Sequence, residues 1–213
     1  MPTVPSPPWD DIYKEVKVAM PGLTDAVFQQ ASYQVWKDFT DKTNLWTEEV
    51  PINVTPNVLS YQFTCVNGQP NRLLLLYDPA QQDPDRKWVQ GNVGMQVPGI
   101  ITISYSPSMA TVWNAVVAKI PVVRSSQNYP DIDTPSNWIV DKYRDGLVFG
   151  IMGRLQNLPA KTYSNPKLAM WNRQNYIAER SKARADGQKA NVYGGQRWQY
   201  PQSFATTGRK GWT

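Results

Sequence analysis

Few residues in this sequence could carry out covalent chemistry. The chain of 213 residues contains no histidine, which excludes catalysis by an imidazole base and removes the usual zinc ligand sets. Cys65 is the single cysteine, so an intrachain disulfide is impossible and a thiol nucleophile would lack an imidazole partner. Because Tyr61, Phe63 and Cys65 alternate, we predict that Cys65 occupies a buried strand position and is not a nucleophile.

Carboxylates offer the other possible chemistry. Asp83 and Asp85 lie in the stretch 78–87, DPAQQDPDRK, which has the proline and aspartate content of exposed turns and no apolar anchor. Two such acids could bind a divalent cation, but they do not fit a defined loop motif for metal binding. The pattern therefore favours a solvated loop, and we predict no metal and no cofactor.

The charge is divided unequally along the chain. Residues 1–160 contain 12 basic and 15 acidic residues, whereas residues 161–213 contain 10 basic and 2 acidic residues. The net charge of +5 therefore comes from the C-terminal region. This asymmetry predicts an acidic partner surface or a nucleic acid near the C-terminal end.

The last part of the chain combines cations with aromatic residues and follows no helical or strand period. Disordered tails usually lack aromatic residues, so burying these rings implies a partner or the parent fold. We predict an extended C-terminal arm over residues 188–213 that packs on the parent fold or on another chain, with plain disorder as the alternative. The predicted binding residues are Arg197, Trp198, Tyr200, Phe204, Arg209, Lys210 and Trp212.

Two helices are predicted before this arm. Thr134 and Pro135 form a typical helix start, and an apolar stripe recurs every four residues from Ile139 to Leu155, widened by Trp138. Asn165 and Pro166 start a second helix, which we expect to end at about Gly187. Glycines cost about 1 kcal/mol each in a helix, so we expect close contact with another helix to compensate for those on one strip, Gly146, Gly150 and Gly153.

The N-terminal part repeats this helical character before the pattern changes. A short helix is predicted over 9–20, and Thr24 is expected to cap a longer helix that ends at about Thr43. After Trp46 the apolar period falls from about 3.6 to 2, which predicts strands near 50–54, 59–65, 72–77, 88–97, 100–105 and 112–123. An Asn67-Gly68 turn follows the second of them.

These patterns predict an α+β fold, in which a bundle of about four helices carries an antiparallel β-domain inserted between the second and third helices. The expected divisions are an N-terminal arm (1–8), the helical bundle (9–46 and 134–187), the β-domain (47–133) and the C-terminal arm (188–213). No membrane span is expected, because the apolar run 146–153 is far shorter than the roughly 20 residues that a span requires. The N-terminus lacks the pattern of a signal peptide, so we expect a cytoplasmic protein.

The order of these elements resembles the head-to-tail adaptor, or connector, proteins of tailed bacteriophages, including the tail tubular A type. The resemblance is found in VWKDFTDKTNLWTEE at 35–49, in the following β-insertion, and in NWIVDKYRDGLVFGIMGRLQNLPAKTYSNPKLAMWNRQNY at 137–176. It covers nearly the whole chain, and its motifs are packing signatures in a given order and spacing.

This resemblance implies a structural virion protein without enzymatic activity, located in the neck between head and tail and present in the host cytoplasm during assembly. Identical subunits, typically twelve, would form a ring between the portal protein and the tail tube or nozzle protein. The ring would surround the DNA exit channel without sequence-specific DNA binding, and a C-terminal segment would reach into the portal.

Two other classes of function remain open. A nucleic-acid-binding protein could use Arg173, Arg180, Lys182 and Arg184 together with the aromatic arm to contact phosphates and bases. A cell-wall hydrolase would need only a pair of carboxylates, but the sequence does not position such a pair.

Overall fold

The computed structural model describes residues 9–66, 68–80, 93–104, 108–122 and 137–190. Within these ranges, helices α1 (Trp9–Ala19) and α2 (Asp25–Thr43) come first, and a β region follows them. Helices α3 (Asn137–Lys142), α4 (Arg144–Gln156) and α5 (Pro166–Ala190) come after it. The predicted α+β class and the position of the β region between the second and third helices are both confirmed.

The β region contains two antiparallel sheets of three strands each within the described ranges. One has the order β1-β6-β3 and the other the order β2-β5-β4. The strands that flank the predicted turn at 67–68, β2 and β3, thus belong to different sheets. The strand bounds are β1 (Thr47–Val54), β2 (Ser60–Gln62), β3 (Gln69–Tyr77), β4 (Val93–Val97), β5 (Ile100–Ile103) and β6 (Thr111–Ile120).

Strand β6 is the centre of its sheet and is covered on both faces. Trp113, Ala115 and Val117 belong to a core that is shared with residues of the other sheet. Val116 and Ala118 are also buried, and because successive strand side chains alternate, they point to the opposite face. That face is packed against α2. The β region is therefore joined to the helices through β6.

The helices share a second hydrophobic core. Helix α2 supplies Ala31, Val35 and Phe39, and α4 supplies Leu147 and Ile151. Thr24 precedes α2 as predicted, but its hydroxyl makes no capping hydrogen bond.

The helix predicted to begin at Thr134 is not a single helix. Tyr143 separates α3 from α4, with φ −114° and ψ 24°. Its ring packs 5.6 Å from that of Phe39, and its hydroxyl donates a hydrogen bond to Asp186. These tertiary contacts accompany the local change in backbone, while the hydrogen bond from Leu147 N to Tyr143 O keeps the two helices connected. Thr134 and Pro135 lie outside the described residues.

The second predicted helix begins as expected, because Asn165 Oδ1 accepts a hydrogen bond from Leu168 N. It does not end at Gly187, however, and continues to Ala190. A Cβ atom at position 187 would overlap the carbonyl oxygen of Thr43 and contact Leu45. The glycine therefore permits α5 to pass close to the end of α2 and is not a helix stop. Among the described helices, none is long and apolar enough to cross a membrane.

Candidate interaction site

The three glycines predicted to pack against another helix all lie on the side of α4 that contacts its neighbours. A Cβ atom at Gly146 would lie 2.9 Å from Cβ of Glu179, and one at Gly153 would lie 3.3 Å from the backbone of Ala169. Gly150 faces two helices, since its Cβ would lie 2.7 Å from Val35 of α2 and 2.9 Å from the ring of Tyr176. The strip thus sets the separation of α4 from both α2 and α5.

A small polar network fixes α5 against α2. The hydroxyl of Tyr176 donates to Asp38 over 2.7 Å, and Arg180 forms an ion pair with the same carboxylate at 2.5 Å. Burial, together with the hydrogen bond to Asp38, raises the pKa of Tyr176 well above its usual range. The phenol therefore remains a hydrogen-bond donor at any physiological pH.

Beside this network, an open groove of about 800 Å³ runs between α2, α4 and α5. We call it the arginine groove. Its polar wall carries the guanidinium groups of Arg154, Arg173 and Arg180, and its apolar wall includes Met170 and Ile177. Both residues are exposed, Met170 to 63% and Ile177 to 41%. The groove thus combines positive charge with uncovered apolar surface.

The charges of the three arginines are balanced to different degrees. Arg180 is neutralised by Asp38, whereas Arg154 donates a hydrogen bond only to the uncharged side chain of Gln34, over 2.8 Å. Arg173 is exposed and has no hydrogen-bond or ion-pair partner among the described residues. Two positive charges at the groove are therefore not compensated by a described carboxylate.

A second surface, which we call the acidic face, carries Trp138, Asp141 and Asp145. The sequence pattern predicts that Trp138 widens the buried stripe, and this is wrong, because 52% of the side chain is exposed. Helical hydrogen bonds continue across the junction, from Tyr143 N to Ile139 O and from Leu147 N to Tyr143 O. The spacing of three and four residues therefore places the side chains of the acidic face on one side of the α3–α4 segment. The side chain of Asp145 is 81% exposed. The sequence gives no signal for this face, because the spacing of Trp138 fits the core equally well.

Cys65, the candidate nucleophile of the sequence, is not activated as a thiolate. Burial, followed by the negative charge of Glu48, raises the pKa of Cys65 to about 11, so its thiol is protonated at neutral pH. The predicted buried strand position is wrong, because Cys65 is half-buried and lies beyond the end of β2 at Gln62. Its side chain still packs against the core of the β region. Within the described ranges, no three acidic or cysteine side chains are grouped to hold a metal ion. Asp83 and Asp85 lie outside those ranges.

Only some of the other predicted site residues lie in the described part of the chain. The partner-binding residues from Arg197 to Trp212 lie beyond Ala190 and outside the described part of the chain. Of the four cations proposed for nucleic-acid binding, Arg180 and Lys182 are paired with acids, Asp38 and Glu179 respectively. The sequence does not single out Asp38, Tyr176 or Arg154; the i, i+4 spacing of Tyr176 and Arg180 is the available signal.

Comparison with known proteins does not assign this chain to a family. No protein-family model matches this chain, and no curated protein sequence matches it either.

Proposed function

We propose that this protein is a structural component of a phage virion, an adaptor subunit that joins the portal vertex of the head to the tail. The observation that carries the proposal is the order and packing of the elements. A helical pair, an antiparallel β region and a glycine-bearing helical hairpin follow one another, and the hairpin packs back on the first pair. This is the arrangement implied by the resemblance of segments 35–49 and 137–176 to head-to-tail adaptors.

In this proposal the helices lie against the portal and the β region points towards the tail tube or nozzle protein. Identical subunits, typically twelve, surround the DNA channel, and the arm at 188–213 grips the portal or a neighbouring subunit. Residues 188–190 of the predicted arm belong to α5, and residues 191–213 follow that helix in sequence. Tyr176 and Arg180 join α5 to α2 through Asp38. Binding of the arm to a partner would therefore also hold the helical core on that partner.

Co-sedimentation with purified portal rings tests the proposal. The full-length chain should pellet with portal rings at saturating stoichiometry. Val18→Ser should behave in the same way, since Val18 is 83% exposed on α1 and lies outside the arginine groove and the acidic face. A folded chain that stays in the supernatant at all portal concentrations would contradict the adaptor function.

A nucleic-acid-binding protein is the second candidate, and the exposed Arg173 and Arg184 on α5 favour it. Binding through phosphates would show an affinity for free DNA that falls steeply with salt, with a log–log slope of about one unit for each phosphate that the protein neutralises. Arg173→Gln combined with Arg184→Gln should then flatten that slope. An adaptor should have little affinity for free DNA at physiological salt, and neither substitution should change this.

A further inference from the structure

The arginine groove and the acidic face lie on opposite sides of the helical layer. Asp145 and Arg154 are nine residues apart on α4, which is about two and a half helical turns. Their side chains therefore point in opposite directions and lie about 13 Å apart along the helix axis. A contact between these two surfaces could not form within one molecule, but it could repeat from one copy to the next.

The acidic face has negative charge available for such a contact. The nearby cation Lys142 is paired with Asp186 at 2.9 Å, and Arg144 is paired with Glu15 at 2.5 Å. Asp145 has only a distant contact of 3.9 Å to Arg144, and Asp141 has no ion-pair partner among the described residues. The local cations are thus engaged elsewhere, and the two carboxylates remain exposed.

We propose that the acidic face of one copy docks into the arginine groove of a second copy. Asp141 and Asp145 pair with Arg154 and Arg173, and the indole of Trp138 covers the exposed side chains of Met170 and Ile177. Aromatic residues are frequent anchors of protein interfaces because they bury a large area with few rotatable bonds. Opposite charges on two different surfaces favour this head-to-tail pairing over a symmetric dimer, in which each surface would meet its own like charge.

The proposed contact gives the adaptor function a specific interface between subunits, and it rests on that function in one respect. A heterologous contact produces a closed ring if its rotation closes and an open filament if it does not, and the adaptor function requires closure. The pairing of the two surfaces is carried by their charges and exposure alone.

Two charge-reversed variants test the pairing by sedimentation velocity at low ionic strength. Asp141→Lys with Asp145→Lys reverses the acidic face, and Arg154→Glu with Arg173→Glu reverses the groove. Each variant alone should self-associate at least about tenfold more weakly than the natural chain, because its surfaces repel. Lys161→Glu with Lys167→Glu changes two exposed lysines outside the groove lining, the acidic face and the arm. It alters the net charge as much as the groove variant does and should leave association unchanged.

Mixing the two reversed variants provides the decisive comparison. In an equimolar mixture, every contact between unlike variants joins opposite charges, whereas every contact between like variants joins the same charge. The mixture should therefore recover association and contain the two variants in equal amounts. Combining all four substitutions in one chain should also restore association, since the charges match again. Circular dichroism melts should show that every variant is folded.

Three results would overturn the inference. They are a natural chain that stays monomeric at every concentration, reversed variants that associate as the natural chain does, and a mixture that forms no complex. Portal co-sedimentation separates these failures from a failure of the proposed function. If the reversed variants bind portal in the same number of copies as the natural chain, the adaptor function stands and the subunit contact lies elsewhere.

Discussion

Gly150 of α4 faces both α2 and α5, and the close contact there leaves no room for a side chain. A leucine would place its Cβ 2.7 Å from Val35 and 2.9 Å from Tyr176, before the rest of the side chain is accommodated. We expect Gly150→Leu to lower the free energy of unfolding by at least about 1 to 3 kcal/mol through overpacking. Urea denaturation followed by circular dichroism measures this change.

Gly94 provides the matched control for that substitution, because a Cβ atom there would have nothing within 4 Å. Gly94→Ala should change stability by less than about 0.5 kcal/mol. A Gly150→Leu variant as stable as the control would show that α2, α4 and α5 do not meet at this residue.

Gly187 offers a stricter test, because its environment reverses the usual helix preference. Alanine in a helix is normally favoured over glycine by about 1 kcal/mol. At position 187, however, the added methyl group would overlap the carbonyl oxygen of Thr43 at the end of α2. We therefore predict that Gly187→Ala destabilises the protein, as measured by its urea midpoint. A stabilised variant would mean that α5 does not pass close to Thr43.

Cys65 should react slowly with alkylating reagents, since its thiol is protonated near neutral pH. The rate of reaction with iodoacetamide should rise with pH through an inflection near the folded pKa of about 11, against an ordinary value of 9.0 in the unfolded chain. Because the folded pKa is raised, the thiol contributes stability that is complete below pH 9 and is lost as the pH rises towards 11. An inflection near 9 in the native protein would contradict the half-buried position.

At the scale of elements, the C-terminal part of α5 is joined to the α3–α4 junction by Asp186. Its carboxylate accepts hydrogen bonds from Lys142 at 2.9 Å and from the hydroxyl of Tyr143 at 2.8 Å. The bond from Lys142 and then that from Tyr143 lower the pKa of Asp186. A depressed pKa gives stability that is present above the unfolded value, about 3.9, and is lost as the pH falls through the folded value.

Asp186→Asn should therefore lower the melting temperature at neutral pH and make its fall in acid shallower. Asp141→Asn is the control at high dilution, since Asp141 is exposed and has no ion-pair partner among the described residues. Melting temperatures measured between neutral pH and about pH 2 provide the comparison. Equal acid sensitivity of the natural chain and Asp186→Asn would show that this junction does not contribute.

The helices and their order are predictable from the sequence because local signals mark them. Pro21 with Gly22 ends the first helix, Asn165 with Pro166 begins the last, and the apolar stripe of α2 repeats every four residues. The break at Tyr143 and the continuation past Gly187 are not predictable, because both depend on contacts with residues that are distant in sequence. The pairing of the strands is not predictable for the same reason, since β1 pairs with β6, which follows it only after most of the β region.

The candidate site is less predictable than the fold. The glycine strip can be proposed from spacing alone, since glycines in a helix require compensation. The arginine groove cannot, because Arg154 and Arg173 belong to different helices and only the folded hairpin brings them to one cavity. The spacing of Trp138 fits the buried stripe, whereas the structure leaves half of its side chain exposed.

For the whole molecule, the arm at 188–213 is predicted to hold the protein on its partner through Trp198, Tyr200, Phe204 and Trp212. Each buried ring contributes about 2 kcal/mol or more at an interface hot spot, and a ring of subunits repeats that contact in every copy. Deleting residues 197–213 should leave the helices intact by circular dichroism but abolish stable co-sedimentation with portal rings. If the folded truncated chain bound portal rings as well as the full-length chain does, the binding surface would lie on the helical hairpin.

Electron microscopy of portal rings, imaged alone and after incubation with the full-length chain, tests the adaptor function most directly. We predict an added ring of identical subunits at one end of the portal, coaxial with its channel and leaving that channel open. Portal particles unchanged by an excess of the folded chain would contradict the adaptor function.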